Sequence, residues 1–392
     1  MYSRTDFNQM TVKRIQFFLT VFVFFALSAH SREVKIGLWS DIQPQSIRYH
    51  NEKHEVWIFE GTHNALLKKT FPKDVPFSVK LSGKKIELYQ GSEIVEIFDT
   101  LYIYPNTIHA DFTIKNPSRT GNYKGKLICY AHANNYLTLV NETDIEWYLC
   151  GVVESEIGRI KETEALKAQT LCARTYVIRG YKRHLQEGFH LCDQQHCQAY
   201  KSVSTYKPVI DAVFATKGEV IMYQGKLIDA LFSACCGGVT ADAQEVWNKD
   251  IPYLKPVLDG KYCQHAKNFK WTVRMPASEW RKIMPTPDSL PGILYYIPDQ
   301  SGRPHKILFR NSENSVNDNT VRSQLRLRSA KIKCTVQGSS VLIEGYGFGH
   351  GVGLCQEGAI GMAMQGFTYQ NIIKYYYKDV ILGYDTELDN IE

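Results

Sequence analysis

Four groups of residues in this 392-residue chain have the types and spacing to do chemistry. The densest is His184, His190, Cys192, His196 and Cys197. Two thiolates and two imidazoles from such a set make a closed tetrahedral zinc site, and short loops let neighbouring ligands converge on one ion. The spacing is not that of a standard zinc finger, and a Cys192–Cys197 disulfide beside solvated histidines is the plainer alternative. The second group is Glu154, Glu156, Glu162 and Glu164. Cleaving a glycosidic bond needs a proton donor whose pKa has been raised, usually by apolar surroundings. Glu156 follows Val152-Val153 and precedes Ile157, so it has the most apolar neighbours of the four, although alone it also fits a solvated helix-end carboxylate. Arg174, taken alone, reads as a structural ion-pair partner.

The third group is Gly345–Gln356, with five glycines from Gly345 to Gly353 and His350 among them. Glycine permits close backbone approach and positive φ, so such a loop can lie against a ligand; a tight strand-to-helix connection is the plainer reading. It is not a phosphate loop, because the Gly-Lys-Ser/Thr ending is absent. The fourth is Ser233-Ala-Cys-Cys-Gly-Gly-Val-Thr240. Ser233 with His350 would suggest a serine nucleophile, but no Gly-x-Ser-x-Gly surrounds it.

The elements that must position these groups follow from periodicity. From Glu33 to Asn141 short runs alternate with period two, among them Val34–Leu38, Glu55–Phe59, Lys85–Tyr89 and Tyr136–Val140, and turn residues separate them. Asp144 can cap a helix that reaches Glu156, and a second helix begins near Glu162-Thr163-Glu164. In it Ala165, Ala168, Cys172 and Tyr176 form one stripe, whose small residues predict a central, buried helix. Next come a helix over Lys207–Thr216, a strand over Glu219–Tyr223, a Gln224-Gly225 turn and a second hairpin strand from Leu227 to Ser233. A mixed segment over 270–345 ends in a strand from Ser340, and helices follow over Gln356–Gln365 and Tyr369–Tyr377. The fold class is α+β: a β-rich N-terminal region over 32–118, then a mixed domain over 119–385.

With 44% hydrophobic and 22% charged residues the chain has the composition of a soluble folded protein. Lys13-Arg14, the apolar run Ile15–Leu27 and then Ser28-Ala29-His30-Ser31 form a secretory signal peptide pattern over 1–31, with an uncleaved anchor as the alternative and Met10 as a second candidate start. The expected location is therefore the periplasm or cell envelope. Removing Arg4, Lys13, Arg14 and Asp6 with that leader lowers the net charge from +6 to about +4, too little to argue for nucleic acid. Ten cysteines in an exported chain raise disulfides, with Cys263 and one of the vicinal pair Cys235-Cys236 as one bridge.

Several blocks resemble the stage II sporulation protein D family, whose relatives include the amidase enhancers. They are Tyr148–Glu156, Glu164–Tyr176, Cys192-Asp193 with His196–Tyr200, Ser233–Thr240, Arg322–Ser329, Gly347–Gly353 and Gln356–Ala359, in the family's order. The resemblance implies a lytic transglycosylase that cleaves peptidoglycan glycan strands stripped of stem peptides. Glu156 would act as general acid and then base, with Arg174 beside it. It implies a structural zinc on His184, Cys192, His196 and Cys197, with His190 the rival fourth ligand, fixing the loop that carries Gln198 and Tyr200 to the cleft. Ser233, Gly237, Gly238, His350 and Gln356 would contact the glycan. Glu357 stands where many relatives have Trp, and His190 where many have Asp. The alternatives are a non-catalytic glycan-binding module that stimulates a cell-wall amidase, and a zinc hydrolase, which would need an open metal position.

Overall fold

The computed structural model describes residues 32–61, 66–283, 294–309 and 315–385. The leader pattern over 1–31 lies outside the described residues. Among the described residues no helix is long and apolar enough to cross a membrane.

The alternating N-terminal runs form two sheets. Seven strands lie in the order Leu191–Cys192, Glu33–Leu38, Leu137–Asp144, Lys126–Ala131, Thr100–Pro105, Val56–Glu60 and Leu66–Phe71. Pairing is antiparallel except where Ile36 and Gly37 meet Leu191 and Cys192 in parallel. A six-stranded antiparallel sheet runs Thr120–Lys124, Asp111–Lys115, Ser46–His50, Phe77–Ser82, Lys85–Gln90 and Glu93–Phe98. Inward residues of both, such as Ile36 and Ile103 from one and Tyr49 and Leu88 from the other, share one core. This alternation of buried and exposed positions is what a half-buried antiparallel sheet requires. The seven-stranded sheet crosses the 118/119 boundary and takes in Leu191–Cys192, so the β-rich part and the first potential metal ligands are one packed unit.

The helix Ile145–Ile157 follows directly from the interior strand Leu137–Asp144. Asp144 caps it, its Oδ1 accepting N–H bonds from Glu146 at 2.8 Å and Trp147 at 3.4 Å. Thr163–Arg179 is the alanine-rich helix, and it lies between two cores. Leu166, Ala173 and Val177 join the first, while Ala165, Ala168, Leu171 and Cys172 join a second with Leu354, Ala359, Ile372 and Tyr376. Small side chains let both bodies approach its backbone, so adding methylenes at Ala165 or Ala168 would cost about 1–3 kcal/mol. Its buried hydroxyls are satisfied locally: Thr170 donates to the carbonyl of Leu166 at 2.8 Å and Thr175 to that of Leu171 at 2.7 Å.

The hairpin reading of Leu227–Ser233 is corrected. Only Lys226–Leu227 returns along Glu219–Tyr223, and Phe232–Ser233 instead pairs in parallel with Leu354–Cys355, over a hundred residues away. Apolar residues stand on both sides of Asp229, which hides the change of partner. The antiparallel strands Lys270–Pro276, Ser340–Tyr346 and Ile332–Gln337 pack on Trp271, Trp280 and Ile343 and deliver the chain into the glycine-rich loop.

Candidate active site

The acid helix and the glycine-rich loop line one cleft of about 940 Å³. Ser155, Glu156, Gln198, Ala199, Tyr200 and Lys201 form one wall. Phe232, Ser233, Phe348, Gly349, His350 and Gln356 form the other.

Glu156 sits in the last turn of its helix, after the fully buried Val152 and Val153. Its Oε1 accepts the backbone N–H of Ala199 at 2.8 Å. Burial raises the pKa of this carboxyl, and the Ala199 N–H and the charge of Lys201 oppose that only in part. The C-terminal end of a helix, where carbonyl dipoles point, also disfavours a carboxylate. The result is a carboxylic acid that keeps its proton to higher pH than a solvated glutamate does.

The other acids of the group are committed elsewhere. Glu154 binds Arg159 Nε at 2.6 Å and accepts from Ser204 Oγ at 2.5 Å. Glu162 accepts from the N–H of Lys161, and Glu164 binds Lys167 and the N–H of Tyr369. Asp193 also lines the cleft, but one oxygen accepts the N–H of Trp39 at 2.9 Å and the other the amide of Gln194 at 2.7 Å.

Arg174 is not beside Glu156. It is fully buried, gives Nε and Nη2 to the two oxygens of Glu146 at 3.1 and 2.6 Å, and donates further to the carbonyls of Glu219 and Val213. Removing one partner of such a pair strands a buried charge. Arg174 therefore locks the two long helices and the strand at Glu219 together. Gly237 and Gly238 lie behind the cleft. A Cβ on Gly237 would come within 2.7 Å of the Tyr346 carbonyl carbon, and Gly238 gives its carbonyl to the N–H of Asp259 at 2.8 Å.

The remaining predicted residues border the cleft. The Tyr200 ring is buried against Tyr148 and Tyr123, and its hydroxyl meets Asn141 Oδ1 at 3.2 Å, so it anchors the loop that presents the Ala199 N–H. Gln198 Oε1 and Ser233 Oγ are buried and carry no protein hydrogen bond among the described residues. Burial and the nearby Arg322 push the His350 imidazole down to about 4, so it is neutral at pH 7, with Nδ1 accepting the N–H of Val352 at 3.1 Å. Gln356 Nε2 crosses to the acid wall, donating to the carbonyl of Glu156 at 3.3 Å and to Gln169 Oε1 at 3.2 Å. Sequence reasoning did not find the Ala199 N–H or Lys201: a backbone amide leaves no residue signature, and a lone lysine no pattern.

The His/Cys group converges as a tetrahedral set would. Ligand atoms of His184, Cys192, His196 and Cys197 all lie within 4.8 Å of one another. Cys197 Sγ is 3.5 Å from His184 Nε2, and Cys192 Sγ is 3.8 Å from His196 Nδ1. His184 Nδ1 pairs with Glu187 Oε1 at 2.6 Å, the carboxylate partner that ligating histidines commonly have. His190 turns away: its Nδ1 accepts the N–H of Lys35 at 3.0 Å and its ring packs on Tyr181. The residues fit a zinc ion, with His184 rather than His190 as fourth ligand. Four protein ligands would close its shell, which suits structure and not hydrolysis. The sulfurs of Cys236 and Cys263 are 3.7 Å apart and unbonded, and none of the ten cysteines forms a disulfide.

Fold and site thus define an α+β protein whose cleft carries Glu156, a buried acid held by one backbone N–H. A family model described as stage II sporulation protein matches residues 133–223. Stage II sporulation protein D of Bacillus subtilis (strain 168) is 31% identical over 256 residues, covering 61% of this chain and 74% of that protein. An uncharacterized protein of Brachyspira hyodysenteriae is 33% identical, covering 66% and 71%. The amidase enhancer of Bacillus subtilis is 28% identical over 60% of this chain and 40% of its own length. The chain belongs to the stage II sporulation protein D family.

Proposed function

We propose that this protein is a lytic transglycosylase that cleaves peptidoglycan glycan strands between N-acetylmuramic acid and N-acetylglucosamine. Its coarser part, a cell-wall related role, goes with membership of the family. The observation that carries the finer part is Glu156, a cleft acid raised by burial and held by one backbone N–H; burial also pushes Asp193 up to about 6, but both its oxygens are engaged.

A hydrolase working through a glycosidic oxocarbenium ion normally uses two carboxyl groups. An intramolecular displacement needs one. Protonated Glu156 gives its proton to the leaving oxygen as the C1–O bond of the muramic acid breaks. The resulting carboxylate takes the proton of the sugar's C6 hydroxyl as O6 bonds to C1, closing a 1,6-anhydro ring. The proton returns to Glu156 and no water is consumed. Ser233, Gln198 and His350 line the space the sugar would occupy, and Ala199 N–H supports the carboxylate stage.

A structural zinc on His184, Cys192, His196 and Cys197 would supply no step. It would pin the loop that holds the Ala199 N–H against Glu156. The protein would be exported, reaching its substrate in the periplasm or cell envelope.

The test is digestion of peptide-free glycan with product mass spectrometry. Anhydro-muramic ends support the reading, and reducing ends would point to a hydrolase. Binding without cleavage, together with stimulation of an added cell-wall amidase, would give the protein the role that the amidase enhancer's name describes.

A further inference from the structure

Behind the glycine-rich wall lies a second group of metal-type donors that the cleavage reading does not use. Cys236, Asp259, Cys263 and Cys355 are each fully buried, and one donor atom from each lies within 4.8 Å of all the others. Cys236 Sγ is 3.1 Å from Asp259 Oδ2 and 3.7 Å from Cys263 Sγ. Cys355 Sγ accepts two backbone N–H bonds, from Cys236 at 3.2 Å and Gly358 at 3.3 Å. The other oxygen of Asp259 accepts the Tyr376 hydroxyl at 2.8 Å, which fixes the carboxylate's orientation as outer partners of metal ligands do. Gly358 leaves the room: a Cβ there would lie 2.5 Å from Asp259 Oδ1.

Three thiols and a carboxyl therefore converge in an apolar interior, beside Leu354, Ala359 and Met362. Buried charge must be paired or coordinated. A thiolate-rich, four-donor set suits zinc, and a shell closed by protein ligands is a structural one.

We propose that Cys236, Asp259, Cys263 and Cys355 hold a second structural zinc ion at the root of the glycine-rich wall. It ties Cys236 and residues 259–263 to the distant Cys355, which directly precedes Gln356, whose amide bridges to the Glu156 carbonyl. Each thiol that binds gives its proton to solvent, so affinity rises with pH. Cys235, also buried, reaches Cys263 and Cys355 and is the spare thiol beside the set. The competing state is a Cys236–Cys263 disulfide, which would need the sulfurs to close from 3.7 Å to about 2.0 Å.

Anomalous diffraction at the zinc edge from the full chain, purified with zinc chloride, decides between them. The expected result is a peak enclosed by Cys236, Cys263, Cys355 and Asp259; no peak there, or continuous density between the Cys236 and Cys263 sulfurs, overturns the proposal. A second arm needs no crystal. The His196→Ala/Cys197→Ser variant should retain one zinc per chain by metal analysis, and adding Cys263→Ser should remove it. A doubly substituted protein without zinc, or a triply substituted one that keeps it, overturns the proposal. If these variants do not fold, the wild-type map alone decides.

Discussion

On one wall of the cleft Glu156 rides on a capped helix and meets the loop that carries Ala199; on the other, no acid among the described residues lines the cleft, and residues 230–234 and 348–350 supply most of it. The first wall joins residues 155–156 to 198–201, with Asp193 bonded to the Trp39 N–H and Tyr200 packed on Tyr123. The second depends on contacts across more than a hundred residues: the Cys235 and Phe348 backbones exchange hydrogen bonds at 2.8 and 3.0 Å, and Leu354 donates to the carbonyl of Leu231 at 3.0 Å. Glycine is required where that packing is closest. Gly353 has φ +73° and a Cβ on it would collide with the carbonyl of Leu231, while on Gly347 it would sit 2.5 Å from the carbonyl oxygen of Cys235. The difference teaches that reactivity belongs to the first wall and shape to the second, so substitutions should separate the two.

The largest effect is expected on the acid wall. Glu156→Gln keeps an acceptor for the Ala199 N–H but cannot donate a proton, so cleavage should fall about 10²–10⁴-fold with glycan binding retained, as read by turnover and co-sedimentation with glycan. Next, Arg174→Met should destabilise the fold by about 3–5 kcal/mol in urea unfolding, because Glu146 is left buried and unpaired; the protein that remains folded should cleave at the wild-type rate. An arginine acting in the cleft would do the reverse. On the shape wall, Gly353→Ala should lower stability by more than about 1 kcal/mol and raise KM more than it lowers kcat. Glu187→Ala, which removes only the partner of His184 Nδ1, should weaken metal binding about 10–100-fold in a chelator competition, with a smaller loss of activity.

The smallest effect is a pH dependence of stability. Burial raises the Glu156 pKa in the folded state, so folding favours its protonated form and the folded protein loses stability as pH rises from the unfolded to the folded pKa. Above that window Glu156→Gln should be the more stable protein, and below it the advantage should vanish, as measured by urea unfolding at several pH values. In the same direction, the acid-dependent limb of cleavage should lie above the usual carboxylate range.

Much of the fold was legible because its signals are local. Period-two alternation marks Glu33–Leu38 and Lys85–Gln90, and Asp144 before an apolar run marks a helix start. Ala165, Ala168 and Cys172 predict a helix packed on both sides, which is where the two cores meet. The illegible parts are long-range choices. Arg174 belongs to a block next to the acid, but only the fold shows that its side chain turns to Glu146 and not into the cleft. Leu227–Ser233 reads as one strand because burial does not reveal which strand pairs with it. His184 and His190 are equivalent in spacing arguments until Lys35 claims one of them. Cys355 carries no spacing signal at all, since its sulfur partners lie near residues 236 and 263.

The central claim is that one acid and no water molecule break the glycan. Digesting peptide-free glycan in water enriched in oxygen-18, with wild-type protein and folded Glu156→Gln in parallel, tests it most directly. The account predicts 1,6-anhydro ends without the heavy isotope from the wild type and almost no product from the variant. Oxygen-18 at a reducing end, or wild-type product yield from Glu156→Gln, would contradict it.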